Sequence, residues 1–289
     1  MRLNTPIIIF GTGRSGTTIF QQMLSRHPNL AWLSPTLHFF PKRLGLNKLF
    51  MYLMDSPPLE NLLRKNIDAS EGYPLWDVLV RGFNTPCRDL LASDVSIKAK
   101  KHISETLSKL TTNKRNRLLL KITGWSRTGY LNETFPDAKF IHIVRDGRAV
   151  ANSLINTGFW LGWGGPEKWR WGPLPEAYYD EWLKYDRSFI VMAAIQWKIL
   201  MDASEKAIKH LDQSKLLEIK YEDLCINPIQ LFKKVRAMMD RGFSLPPSLQ
   251  QNMYHLIDTN NKYRDELSLS QQTALNVVLS SHLQKYGYR

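Results

Sequence analysis

Three clusters of side chains in this sequence have the types and spacing needed to handle a phosphorylated ligand. The first is GTGRSGTT, residues 11 to 18. Gly11, Gly13 and Gly16 permit the tight, positive-φ path that turns backbone N–H groups toward one anion, and Arg14, Ser15, Thr17 and Thr18 add a cation and three hydroxyls. The loop is close to the nucleotide-binding pattern G-x-x-x-x-G-K-[ST], but Thr17 stands where that pattern has lysine, and the cation sits inside the loop at Arg14. The second is Lys121, a cation closing the apolar run Leu118-Leu119-Leu120. The third is Arg145 with Ser153, a planar fork suited to phosphate and a hydroxyl about two helical turns further on. Two groups could take a proton. His38 lies between Leu37 and Phe39-Phe40, and imidazoles titrate near neutral pH; Glu71 lies in EGYPLWDVL. Each also has a structural reading, as a histidine bonded within an apolar wall and as a solvated loop carboxylate.

These groups must be held by strands and helices that the hydrophobic pattern supplies. Ile7 to Phe10 is a continuous apolar run, as in a parallel strand covered on both faces, and Thr17 begins a helix with Ile19, Phe20, Met23 and Leu24 on its inner side. Further strands are expected over 30–33, 118–121, 139–144 and 216–221, giving a three-layer α/β fold around a parallel sheet of about five strands. Ligand sites in such sheets lie beyond the carboxyl ends of the strands, where Lys121 and Arg145 fall. His38 could approach the loop provided the second strand lies beside the first. Residues 34–117 read as a helical insertion, and 157–186, carrying Trp160, Trp163, Trp169, Trp171 and Trp182, reads either as a lid lining an acceptor site or as a second apolar cluster. Residues 188–211 read as one long helix; Asn227 is a good N-cap with Pro228 at the first helical position, and Ser268 opens a final amphipathic stretch closed by Gly287.

A length of 289 residues with no Gly/Ser-rich or Pro-rich linker gives one domain, 1–289, as the expectation. The net charge of +13 suits a polyanionic cofactor, nucleic acid or a membrane surface equally. Seven basic residues between Lys98 and Arg117 face a single acidic one, Glu105, and form either a solvated helix face or a surface for anionic lipid or acceptor. Cys87 and Cys225 are too few for a disulfide framework or a thiolate metal site, so a reducing, cytoplasmic location is expected. No apolar run reaches the length of a membrane span.

GTGRSGTT resembles the 5′-phosphosulfate loop of the sulfotransferases, which use 3′-phosphoadenosine 5′-phosphosulfate. Three further segments match in order: Lys121 in KITG resembles the family's Lys-Thr segment, Arg145 and Ser153 have its eight-residue separation, and Tyr221 in KYEDL resembles its adenosine-side segment. The resemblance implies transfer of a sulfuryl group to an acceptor hydroxyl of a carbohydrate, lipid or small molecule, with no metal and no nucleic acid partner. It implies that Gly13, Arg14, Ser15, Gly16, Thr17 and Thr18 hold the 5′-phosphosulfate, that Lys121 contacts the transferring group, and that Arg145, Ser153 and, from the C-terminal side, Arg264 hold the 3′-phosphate. Two departures bear on the base. Ser34, Pro35 and Thr36 carry no carboxylate where members often have glutamate, and Thr123 stands where some have histidine, which leaves His38 and Glu71. A P-loop kinase and a non-catalytic binder of anionic ligands are the competing readings.

Overall fold

Ile7, Ile8, Ile9 and Phe10 have no exposed surface, because β1 (Ile7–Gly11) is the middle strand of a parallel five-stranded sheet. The computed structural model describes residues 5–64, 67–84, 88–239 and 258–288. The other strands are β2 (Leu30–Trp32), β3 (Arg117–Thr123), β4 (Lys139–Val144) and β5 (Leu216–Lys220), in the order β2-β3-β1-β4-β5. The chain runs out from β1 through β2 and β3 on one side and then crosses to β4 and β5 on the other. The carboxyl end of β1 is therefore the switch point at which open α/β sheets bind ligands. Register places Lys121 beside Ile9 and Thr123 beside Gly11, so the end of β3 meets the start of the glycine loop. Gly11 is required there, since a Cβ would sit 2.5 Å from the Ile143 carbonyl oxygen of β4.

The second strand does not lie beside the first. β2 pairs with β3, Leu30 opposite Arg117, because β3 is the longer apolar run and takes the place next to β1. This removes the premise that carried His38 toward the loop.

Between β2 and β3 the described residues form helices, as their helical spacing implies: α2 (Thr36–Phe39), α3 (Leu44–Leu53), α4 (Pro57–Leu63), α5 (Tyr73–Leu79) and α6 (Ile97–Ser108). α1 (Thr17–Ser25) packs on β1, β2 and β3. After β3 come α7 (Thr128–Thr134), α8 (Gly147–Ile155), α9 (Glu176–Leu183) and the long α10 (Phe189–Ile208). Pairing with β3 also explains two members of the basic stretch. Arg115 is buried, bonded to Asp55 at 2.9 Å and to the carbonyls of Leu30 and Met54, and Arg117 is buried in β3. Lys100 pairs with Glu133 at 2.9 Å. The stretch is thus partly structural rather than one basic face.

A first apolar cluster fills the space around the sheet, and a second joins Val144, α8, α10 and Trp160, Trp169 and Trp182. Asn227 caps its helix through Gln230 N, and Ser268 forms a capping box with Gln271, as their residue types lead one to expect. The final stretch is two helices, Leu269–Val278 and Ser280–Lys285, with Gly287 at φ 67° after them. Cys225 is a free, half-buried thiol, and Cys87 lies outside the described residues.

Candidate active site

The loop after β1 closes on itself before it meets any ligand. Thr12 and Ser15 hydroxyls lie 2.6 Å apart in the interior, and Ser15 N donates to Thr12 O, so Ser15 stabilises the turn from inside. Gly16 follows at φ 84°, a conformation costly for L side chains, and a Cβ there would meet the Tyr221 ring at 2.3 Å. The start of α1 has no side-chain cap and no carboxylate in its first turn, so its dipole and free N–H ends favour an anion. Gly13 has open space in front of it, leaving room for close backbone approach.

Lys121, nearly buried at the end of β3, is held at 2.8 Å from both Thr18 Oγ1 and Glu71 Oε1. Thr123 Oγ1 donates to both Glu71 oxygens at 3.1 Å, and Thr123 is fixed in turn by Tyr73, whose hydroxyl donates to its carbonyl at 2.9 Å and accepts from its N–H at 3.2 Å. Burial is the main cause that pushes the Tyr73 phenol up, so it stays neutral. Glu71 is thus a positioned group, 22% exposed, and not a freely solvated loop carboxylate. Its backbone is hung from the end of β2, where Ser70 N donates to Leu33 O at 2.7 Å.

A cavity of about 370 Å³ opens over these groups. Gly13, Arg14, Thr17 and Thr18 line it from the loop; Glu71, Tyr73 and Asn84 from the insertion; Thr123, Gly124 and Arg127 from the end of β3; and Trp160, Trp169 and Trp171 from the aromatic segment. The tryptophans are also packed. Trp160 Nε1 donates to Gln196 at 2.8 Å, Trp169 Nε1 to Gly172 O at 2.6 Å, and Trp171 lies over Gly124, where a Cβ would meet it at 2.5 Å. The segment is at once a cluster and a cavity wall. Trp163 does not line it, and is half exposed against Trp160 and Phe189.

Arg14 Nε donates to Ser153 Oγ at 2.8 Å, which brings the loop cation to α8. Arg145 lies behind the loop, its guanidinium over the Tyr221 ring at 4.3 Å and bonded to Arg14 O, Asn260 and Thr259 at 2.7 to 2.9 Å. Burial pulls the Arg145 guanidinium down and the Tyr221 phenol up. Arg14, Ser153, Arg145 and Tyr221 therefore form one connected group.

Neither His38 nor Arg264 is among the side chains lining the cavity. His38 is exposed on α2, its ring edge-on to Phe39, and is not part of the cavity wall; Leu37 points inward, which turns the next residue out. Arg264 is exposed and donates to the Tyr263 hydroxyl at 3.3 Å. Conversely, Tyr73 and Arg127 are site residues that sequence reading passed over. Tyr73 is two places from Glu71, and that proximity was its one signal. Arg127 is buried with φ 51° and had none.

The model of the sulfotransferase family matches residues 6–244. The protein-tyrosine sulfotransferase of Drosophila melanogaster is 23% identical over 239 residues, which are 81% of this chain and 38% of that relative, so the chain spans about two fifths of its length. Among solved structures, sulfotransferase STF9 from Mycobacterium avium superposes with a TM-score of 0.55 at 15% identity, covering all of this chain and 78% of its own. The sulfotransferase domain of the curacin biosynthetic pathway superposes with a TM-score of 0.52 at 14% identity, covering all of this chain and 99% of its own. At that identity the superpositions show a shared fold, and together with the family match over residues 6–244 they establish that this chain belongs to the sulfotransferase family.

Proposed function

We propose that this chain moves a sulfuryl group from 3′-phosphoadenosine 5′-phosphosulfate to an acceptor hydroxyl, with Glu71 as the base. The observation that carries the reading is Lys121 Nζ, 2.8 Å from both Thr18 Oγ1 and Glu71 Oε1 where β3 meets the loop. The residues fit such a donor: an uncapped helix start, an open Gly13 and the cation Arg14 line one end of the cavity, and Lys121 is bonded to the lining residues Thr18 and Glu71. When bound, the donor supplies an activated sulfuryl group on a phosphate leaving group.

The chain's own residues do the rest. Loop N–H groups with Arg14, Thr17 and Thr18 hold the anion, and Lys121 with Arg14 stabilises negative charge that grows on the leaving oxygen. Glu71, oriented by Thr123, takes the acceptor proton as the acceptor oxygen gains its bond to sulfur. Arg145 and Ser153 hold the 3′-phosphate, each exchanging a present partner for it, and Tyr221 stays as the platform beneath Arg145. The aromatic wall receives a carbohydrate, lipid or small-molecule acceptor, and the Drosophila relative adds a tyrosine hydroxyl to the acceptors worth screening.

Calorimetry with adenosine 3′,5′-bisphosphate, ADP and ATP, each with and without magnesium, tests the donor site. Tight, magnesium-independent binding of the first alone is the expected outcome. Preference for ATP with magnesium would replace the reading with a kinase.

A further inference from the structure

α3 is apolar on both of its sides. Phe50, Met51 and the following Met54 are buried with Asn47, whose amide is bonded to Ser34 N and Trp32 O, so this side is tied to the fold. Leu46, Leu49, Tyr52 and Leu53 recur at helical spacing on the other side and are exposed, Leu49 at 56%. α2 packs against α3 and adds Phe39, 73% exposed, and Phe40, 52% exposed. A helix that is apolar all round is ordinarily enclosed, and a patch of this kind at the surface marks a partner.

The charges choose that partner. From Thr36 to Met54 the chain carries Lys42, Arg43 and Lys48 and no carboxylate. The nearest acids along the chain are already paired, Asp55 with Arg115 and Lys114, and Glu60 with Arg64. Arg43 lies 5.8 Å above the Phe40 ring, so cation and aromatic ring are presented together. Exposed Phe, Leu and Tyr interleaved with cations fit the headgroup region of an anionic bilayer, where apolar side chains enter the acyl boundary and each basic residue strengthens binding about fivefold.

We infer that the α2–α3 face docks the protein on the surface of an anionic lipid bilayer without crossing it. Among the described residues no helix is long and apolar enough to span a membrane. α2 also packs against α5, whose first residue Tyr73 lines the cavity, so the docking face and part of the cavity wall belong to one packed unit.

The test is co-sedimentation of the full chain with vesicles of phosphatidylcholine alone or with about 30% phosphatidylserine. Expected is binding that needs the anionic lipid and weakens as salt rises. A Phe39→Ser/Leu49→Ser variant binds at least tenfold more weakly, and Lys42→Glu/Arg43→Glu/Lys48→Glu abolishes the phosphatidylserine dependence. Ile226→Ser/Leu269→Ser, which alters apolar residues about 80% exposed elsewhere, binds as the parent does. Thermal melts check that each variant is folded. No binding to anionic vesicles, or equal binding by the parent and the Phe39→Ser/Leu49→Ser variant, overturns the inference. So does a self-association of the parent that the same variant abolishes while vesicle binding is absent, since the face would then be a contact between copies.

Discussion

Replacing Glu71 by glutamine removes one negative charge and little else. Gln keeps the length of the side chain and an oxygen able to accept from Lys121 and Thr123, which now donate at 2.8 and 3.1 Å, so the end of β3 should keep its shape. Three consequences can be separated. The base is lost, worth ~10²- to 10⁴-fold in turnover, or about 3 to 5 kcal/mol on the barrier. Lys121, only 4% exposed, loses its carboxylate partner. That strengthens its pull on an anion at the loop, so adenosine 3′,5′-bisphosphate should bind as well as in the parent or better. Glutamine still accepts from the nearly buried ammonium and from Thr123, so a melting shift of a few degrees is expected rather than loss of fold. The assay is transfer of labelled sulfuryl group to a panel of hydroxyl acceptors, with calorimetry of the bisphosphate alongside. Turnover of Glu71→Gln within a few fold of the parent, with the bisphosphate still bound, would refute the assignment. A matching collapse in His38→Ala would point to a proton acceptor outside the cavity wall.

Three further outcomes follow from the same geometry. Arg145→Ala and Ser153→Ala should weaken adenosine 3′,5′-bisphosphate far more than AMP, by over tenfold for the arginine, since hydrogen bonds to charged groups contribute ~1.5–3 kcal/mol; equal losses in calorimetry would remove them from the 3′-phosphate. Gly16→Ala puts a Cβ into the Tyr221 ring at φ 84° and should cost about 1–3 kcal/mol in denaturant unfolding while weakening anion binding, and a neutral result would show that the loop adjusts freely. For Asp202, burial acts to raise the carboxyl, but hydrogen bonds from His282 and Tyr178 prevail and leave it below the usual range. Its contribution to stability is therefore full above the unfolded value of ~3.9 and is lost as pH falls through the lower folded value, so the stability gap between parent and Asp202→Asn should begin to narrow as unfolding is followed to pH below that unfolded value.

The sheet was legible because each strand is a short apolar run ended by a polar or turn residue, and Lys139 to Val144 has the observed limits unchanged. The places of the glycine loop, Lys121 and Arg145 at strand ends were legible because each closes a short apolar run, whereas Ser153 was singled out through the separation from Arg145 that the family resemblance supplies. His38 was misplaced because no local signal tells which strand β2 will pair with, and strand order is settled by packing across the whole sheet. Glu71 was undervalued for a related reason. What holds it is a backbone bond from Ser70 to Leu33 and a hydroxyl from Thr123, contacts spanning 37 and 52 residues that leave no trace in its own neighbourhood. The tryptophans were visible as a cluster, but which of them faces the cavity depends on ring partners such as Gln196 on α10.

Lys121 is shared between Thr18 at the loop and Glu71, so on the proposed reading one ammonium links donor binding to the base. Lys121 Nζ lies 2.8 Å from Glu71 Oε1, so the ammonium occupies the carboxylate proposed to take the acceptor proton. An anion arriving at Thr18 would compete for that ammonium through the second of its two 2.8 Å contacts and so loosen its hold on the carboxylate. With Glu71 as the proposed base, acceptors entering first would meet a carboxylate still bonded to Lys121, so steady-state kinetics should show an ordered sequence, donor before acceptor, set by one lysine.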